Sequence, residues 1–105
     1  MQIIIGGNAR QEIHEAHDWY ESRRFGLGAE FELSIEAMLE RIESEPLIFP
    51  LYWLDFRRAI LPRFPYGLFF TIEDSLILIV AVIHLKRHPT RIISRIRKGR
   101  EGQLQ

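Results

Sequence analysis

The N-terminal half of the chain has the hydrophobic spacing of two amphipathic helices. A β-branched run at Gln2–Ile5 ends at two glycines, which predicts a strand followed by a turn. Apolar residues then recur every three or four positions from Ala9 to Tyr20 and again from Ala29 to Ser44, the spacing of helices with one buried face. The connection between them is so short that the two helices are expected to form an antiparallel hairpin.

Local signals predict where these helices begin and end. Asn8, followed three residues later by Gln11, has the spacing of a capping box, so the first helix is expected to begin at about Ala9. Pro46 biases the residue before it toward an extended conformation, so the second helix is expected to end at about Ser44.

The C-terminal half has a different pattern. Segments 57–64, 66–72 and 76–83 are rich in β-branched and aromatic residues, and they predict a β-meander of three strands. The segment 76–83 is apolar on both sides and is therefore predicted to be the central strand, whereas Pro62 places its own strand at an edge or a bulge. The element order predicts an α+β domain, β-α-α-β-β-β, with the helical hairpin packed on a mainly antiparallel sheet.

The basic tail at residues 91–105 is less clearly patterned. Ile92, Ile93 and Ile96 lie among basic residues, a pattern that allows either a short amphipathic helical segment or a mobile end. With 105 residues, the chain is long enough for one domain and too short for two, so we expect a single domain over residues 1–105.

Composition excludes several classes of function. The chain has no cysteine, which excludes disulfides, thiolate metal ligands and a cysteine nucleophile, and agrees with a cytoplasmic location. Its longest apolar run, 75–83, is about half of the roughly 20 residues that a membrane-spanning helix needs. The N-terminus has no basic region ahead of an apolar one, so neither secretion nor membrane insertion is expected.

Charge is distributed unevenly although the formal net charge is zero. Residues 1–56 carry four arginines against eleven acids, a net −7, whereas residues 57–105 carry ten arginines or lysines against three acids, a net +7. Such asymmetry favours a cationic surface that recruits anionic partners. The alternative is that acidic helices lie beside a basic sheet and the charges neutralise each other.

The basic residues of the sheet half are the main candidates for binding a target. If the meander gathers them at one end of the sheet, their guanidinium groups would suit phosphate or carboxylate groups. The alternative is that Arg57 and Arg63 pair with helix carboxylates. The candidate target-binding residues are Arg57, Arg58, Arg63, Tyr66, His84, Lys86 and Arg87.

Candidate catalytic groups are few. His84 follows an apolar strand and has an ordinary pKa suited to acid–base work, but a strand-end histidine is more often a hydrogen-bonded structural residue. Tyr66 offers a phenol near the basic residues, or it packs. His14 and His17 have helical spacing for a metal, yet no third ligand is evident, so we expect no metal site. No phosphate-binding loop or nucleophile elbow occurs, and no cofactor is expected.

Taken in order, the motifs from Ala9 to Pro89 resemble the RelE/ParE superfamily, the toxins of type II toxin–antitoxin systems. The resemblance implies the β-α-α-β-β-β fold, growth inhibition, a role in plasmid stabilisation, and a cognate antitoxin that binds the toxin in a hetero-oligomer. It is carried by Ala9, Glu12, Ile13, Trp19 and Tyr20 in the first helix, Gly26, Leu27, Gly28 and Phe31 at the turn, Arg41, Ile42 and Pro46 at the end of the second helix, Arg57, Arg58, Arg63, Phe64, Pro65 and Tyr66, and Ala81, Val82, His84, Arg87 and Pro89.

Two activities occur in this superfamily. RelE-like toxins cleave messenger RNA in the ribosomal A site, and ParE-like toxins poison DNA gyrase without being nucleases. RelE-like enzymes have an arginine where this chain has Gly67, and a tail tyrosine where it has Ile92 or Ile93. Two expected catalytic groups are therefore missing.

Other basic groups keep the ribonuclease alternative open. Arg58 and either Lys86 or Arg87 fall near RelE-type basic positions, and His84 could substitute as a base, so Arg58, His84 and Arg87 are the candidate catalytic residues. The Phe-Pro-Tyr turn at 64–66 and the ending at 84–89 look more like ParE-type members. The resemblance thus favours a non-enzymatic, ParE-like gyrase poison, with a ribosome-dependent mRNA endoribonuclease as the alternative. A second alternative is an inactive relative retained for antitoxin binding.

Overall fold

Helices lie on both faces of a single β-sheet. The computed structural model describes residues 1–104, and of their side chains those up to residue 102. The elements are β1 (Gln2–Ile5), α1 (Gly7–Arg23), α2 (Leu27–Ser44), a 3-10 turn (Pro46–Ile48), β2 (Leu51–Trp53), β3 (Phe56–Ile60), β4 (Tyr66–Glu73), β5 (Leu76–His84) and α3 (Pro89–Leu104).

The strands form one sheet in the order β1-β5-β4-β3-β2. β1 runs parallel to β5, whereas the β5–β4, β4–β3 and β3–β2 pairs are antiparallel. The predicted α+β class and the mainly antiparallel sheet are confirmed. β5 is an interior strand with seven consecutive buried residues, but the predicted central position was wrong, because β4 is the middle strand of the five.

The helical hairpin covers the first face of the sheet, as its periodicity predicted. Gly26, with a φ of 86°, adopts the left-handed conformation that the sharp turn between the helices requires, and that glycine tolerates. The helical residues buried on this face are Ala9, Ala16, Tyr20, Phe31, Ile35, Met38 and Ile42.

The predicted helix starts were wrong by about two residues. α1 begins at Gly7 after Gly6, and no side chain caps it, so Asn8 lies inside the first turn rather than capping it. The Gly6 N–H donates to the Ile79 carbonyl (2.9 Å). The hydrogen bonding between β1 and β5 therefore continues to the residue just before α1. α2 begins at Leu27 rather than near Ala29.

A carboxylate from α1 explains the early start of α2. The Glu21 oxygens accept hydrogen bonds from the backbone N–H groups of Gly26 (2.9 Å) and Gly28 (3.0 Å). These groups are unpaired donors at the helix N-terminus, where a negative charge is favourable. The same two bonds hold the pKa of Glu21 below its ordinary value.

The predicted three-strand meander has a fourth strand. β2 pairs with β3, so β3 is not the edge strand that Pro62 indicated. β3 ends at Ile60, four residues before the predicted end, and Pro62 lies in the connection to β4. β2 has only three residues, too few to show a period, and its pairing with β3 is what makes it a strand.

The basic tail forms α3 and covers the second face of the sheet; Gln105 lies outside the described residues. Ile92 and Ile96 are buried against β5. A Cβ added at Gly99 would collide with the Val80 carbonyl oxygen, so the helix lies close to the strand. Glu12 of α1 is only 16% exposed and pairs with Arg95 of α3 (2.7 Å).

Candidate functional site

Aromatic side chains surround an open depression at the end of the sheet where β4 begins and β5 ends. Tyr66 and His84 are opposite each other in the β4–β5 register, and their ring centroids are 5.1 Å apart at an interplanar angle of 73°. Trp19 and Tyr20 of α1 and Pro65 complete the lining of a cavity of about 470 Å³. We call these five residues the aromatic depression.

Backbone hydrogen bonds hold the Phe-Pro-Tyr turn in place. The Tyr66 N–H donates to the Phe64 carbonyl (2.7 Å), and the Leu85 N–H donates to the Pro65 carbonyl (2.8 Å). The Tyr66 ring also packs against Phe31, with centroids 5.3 Å apart. Because the turn is tied to the chain beyond β5, the position of Tyr66 relative to His84 is well defined.

His84 has the properties of a neutral hydrogen-bond donor. Burial lowers its pKa below the ordinary value, and the positive charges of Lys86 and Arg87 lower it further. Its Nδ1 accepts a hydrogen bond from the Lys86 backbone N–H (3.1 Å). A neutral imidazole has one donor and one acceptor nitrogen, so the proton lies on Nε2. In this tautomer Nε2 donates a hydrogen bond and cannot accept a proton.

Positive charge adjoins the depression. Lys86 and Arg87 are exposed, and within the part of the chain whose side chains are described neither forms a salt bridge. Burial raises the pKa of Tyr66, and the Arg87 charge opposes this shift, so the phenol stays protonated. The arrangement offers aromatic surface, two hydrogen-bonding rings and free cations.

The structure divides the predicted basic cluster. Tyr66 and His84 line the depression, and Lys86 and Arg87 follow them closely enough for their charges to lower the pKa of His84, but the strand arginines do not join this group. Arg57 donates to the Phe49 carbonyl (2.7 Å) rather than to a carboxylate. Arg63 does pair with a helix carboxylate, Glu30, at 3.0 Å, as the alternative interpretation predicted.

Arg58 lies on the opposite face of the sheet. Its register partner is Phe69, a residue of the core under α3. Its guanidinium stacks on Tyr52, with 4.9 Å between Cζ and the ring centroid. Its Nε is buried and has no acceptor within the described residues. Arg58 is therefore held by packing, away from the depression.

The sequence did not identify two residues of this depression. Trp19 is 52% exposed, with the Arg23 guanidinium 4.5 Å above its ring. Tyr20 had been assigned to the core, and its ring also lines the depression. A large exposed aromatic on an otherwise polar helix face was the available signal for Trp19.

No metal site is apparent among residues 1–104. His14 and His17 each pair with Asp18, at 3.4 and 3.1 Å. No group of three or more histidine, aspartate or glutamate side chains in this part of the chain could hold an ion. No helix of the described residues is long and apolar enough to cross a membrane.

Gly67, the position where RelE-like enzymes have an arginine, is closely packed. A Cβ added there would lie 3.1 Å from Leu85 Cδ2, 3.3 Å from Phe69 Cε2 and 3.4 Å from Arg58 Cγ. A large side chain would require these neighbours to move. Ile92, one of the two residues at the position of the tail tyrosine, is only 3% exposed and belongs to the core.

The family model described as the ParE toxin of type II toxin–antitoxin system, parDE, matches residues 3–89. The chain belongs to this family of toxins. The match covers the sheet, the hairpin and the aromatic depression, and it ends where α3 begins. The resemblance to the ParE-like branch of the superfamily is thereby confirmed.

A solved structure has a similar fold. It is described as the chromosomal ParDE TA system from P. aeruginosa, and the match has 14% sequence identity and a TM-score of 0.62. It covers 82% of this chain and 97% of that chain. No curated protein matches the sequence.

Proposed function

We propose that this ParE-family chain inhibits growth by acting on DNA gyrase in the cytoplasm, and that a cognate antitoxin neutralises it in a hetero-oligomer. The family match supports the toxin and its antitoxin. Tyr66, His84, Lys86 and Arg87 are the residues of the chain that contact the target. Trp19 adds an exposed aromatic surface beside them.

The packing around Gly67 carries the preference for gyrase over messenger RNA. Cleavage of RNA requires groups that move protons at two oxygens, and each missing group typically costs about 100- to 10,000-fold in rate. At Gly67 a Cβ alone would already lie 3.1–3.4 Å from Leu85, Phe69 and the Arg58 stem, so a larger side chain there requires these neighbours to move. His84 presents a donor rather than a base at Nε2. These features support a toxin that binds rather than cleaves.

The antitoxin has an apolar surface available on the helical hairpin and the adjoining strand. Ile5, Ile13, Ile35 and Leu39 form the apolar part of a groove of about 270 Å³ between α1, α2 and β1, which we call the hairpin groove. Grooves of this type accept an amphipathic helix or an added strand. We propose that the antitoxin covers this groove.

Two parallel assays test the choice of target. The pure toxin is added to gyrase supercoiling and DNA-cleavage reactions, and separately to translating ribosomes. We expect loss of supercoiling or accumulation of cleaved DNA, and no codon-specific A-site cuts. A-site cleavage that disappears in His84→Ala would overturn the proposal and make His84 a catalytic base. Inactivity in both assays, and in cells, would indicate an inactive relative.

A further inference from the structure

The hairpin groove has charged rims of opposite sign. On the α2 side, Glu32 and Glu36 lie one helical turn apart, and on the α1 side stand Arg10 and His14. Neither glutamate, nor Arg10, forms a salt bridge within the part of the chain whose side chains are described, whereas His14 pairs with Asp18 at 3.4 Å. Three rim charges are thus available to a partner.

Two other carboxylates of the helical hairpin are already used inside the fold. Glu30 pairs with both Arg24 and Arg63, each at 3.0 Å, and Glu12 pairs with Arg95. Glu32 and Glu36 have no such partner among the described side chains. They border an apolar floor, where a bound segment would shield them from water and strengthen their interactions.

From this arrangement we infer that the segment bound in the hairpin groove is an amphipathic helix with two basic residues one turn apart facing α2. Glu32 and Glu36 are about 6 Å apart along their helix axis, at 1.5 Å per residue. A helix lying along α2 repeats its side chains with the same spacing, so lysine or arginine residues at i and i+4 would meet both carboxylates. An acidic residue on its opposite flank would meet Arg10.

This inference rests on the proposed antitoxin site and makes it more specific. The apolar floor provides affinity, because it buries the hydrophobic face of the helix. The rims provide specificity, because a helix with an acidic flank toward α2 would place like charges together. The asymmetry also fixes the direction of the helix, since reversing it would exchange its two flanks.

The first test uses titration calorimetry to measure the affinity of toxin variants for the candidate antitoxin, which is the protein encoded by the gene next to that of the toxin and is called the neighbouring product below. In Glu32→Lys/Glu36→Lys we expect the dissociation constant to rise about tenfold or more at low salt. The difference from wild type should shrink as ionic strength rises. The control, Glu40→Lys/Glu43→Lys, makes the same charge change on exposed positions of α2 outside the groove, and it should change affinity less than about threefold.

The second test uses two synthetic peptides of roughly 18 residues, long enough to form a helix. Both have leucines at i, i+3, i+4 and i+7, and they differ only in a lysine pair or a glutamate pair at i and i+4 on one flank. Wild-type toxin should prefer the lysine peptide, and the Glu32→Lys/Glu36→Lys variant should prefer the glutamate peptide. Circular dichroism of each variant checks that the fold is retained.

The outcomes separate this inference from the proposed function. Suppose that the neighbouring product binds the wild-type toxin. If the groove variant and the control then lose affinity equally, or if neither variant loses affinity, the charge-matching inference is wrong and the antitoxin proposal stands. If the product does not bind wild type at all, the antitoxin proposal fails. In that case the peptide test decides the charge-matching inference. Equal affinity of the wild-type toxin for both peptides would overturn the inference.

Discussion

Two groups of cations at opposite ends of the sheet are used in opposite ways. At the end formed by the β2–β3 turn and the end of β4, Arg100 of α3 pairs with Asp55 at 3.0 Å and with Glu73 at 2.7 Å. At the other end, Lys86 and Arg87 follow β5 and form no salt bridge among the described side chains. The first end stabilises the fold, and the second has charge left for a partner.

Arg100 shows what makes an arginine structural. Its guanidinium also lies over the Phe56 ring, with Cζ 4.7 Å from the centroid, and Asp55 accepts a further hydrogen bond from Thr71. Because the Arg100 guanidinium already contacts two carboxylates and an aromatic ring, few of its N–H donors remain for another ligand. The basic residues of this chain therefore differ in whether they are available to bind a partner. The number of basic residues in the sequence does not show this difference.

The largest expected effect is at the aromatic depression. In Lys86→Ala/Arg87→Ala we expect growth inhibition to be lost, and gyrase inhibition to weaken about tenfold or more, since contacts to charged groups contribute about 1.5–3 kcal/mol each. The thermal midpoint should change by less than about 4 °C, because both residues are exposed. Colony counts after induction and gyrase titrations measure the effect.

The control for that variant removes two exposed arginines elsewhere. Arg41 lies over Phe49 and Arg97 over Trp53, both away from the depression. Arg41→Ala/Arg97→Ala should remain toxic. Retained toxicity of Lys86→Ala/Arg87→Ala at equal expression would place the target-binding surface elsewhere.

The second effect is on stability at the opposite end. Arg100→Ala should lower the free energy of unfolding by about 1–2 kcal/mol, because it removes two charge-assisted pairs and a stacking contact at a partly exposed position. The thermal midpoint should fall by roughly 5–10 °C. Toxicity should persist below the midpoint. A folded Arg100→Ala protein without toxicity would show that this end also serves function.

The third effect is the response of the same end to acid. The hydrogen bond from Arg100 is the main cause that lowers the pKa of Asp55 from its ordinary value of 3.8. A carboxylate with a lowered pKa adds stability above its unfolded pKa, and this is lost as the pH falls through the folded pKa. Wild type should therefore lose more stability than Asp55→Asn between about pH 4 and pH 2.

Urea denaturation of both proteins at matched pH values measures that difference. Glu21 and Glu30 also have lowered pKa values and contribute to the acid response of both proteins, so the comparison isolates Asp55. Parallel curves for wild type and Asp55→Asn would show that Arg100 does not stabilise the Asp55 carboxylate.

The smallest effect concerns His84. Because its pKa is lowered, the ring is neutral at physiological pH, and gyrase inhibition should be flat between about pH 6.5 and pH 8. His84→Gln, which keeps a side-chain donor, should reduce inhibition only a few-fold. NMR titration of the imidazole should show a pKa below 6.5. A sigmoidal pH profile that disappears in His84→Gln would contradict the donor role.

Local patterns in the sequence predict much of this protein. The hairpin, the apolar strand β5, the α+β class and the resemblance to ParE-like toxins all follow from hydrophobic spacing and short motifs. Tyr66 and His84 were also recognised as candidates, since each adjoins a strand end. These features depend on residues close together in the chain, where periodicity and turn chemistry act.

The tertiary structure decides which charged residues form salt bridges and which remain free. Arg95 pairs with Glu12 across 83 positions, and Arg100 reaches Asp55 across 45. Whether the tail is helical, whether β2 is a strand and which cations remain free all depend on such distant partners. A local pattern contains no information about which carboxylate the fold brings to an arginine, because that pairing exists only once the helices have packed on the two faces of the sheet.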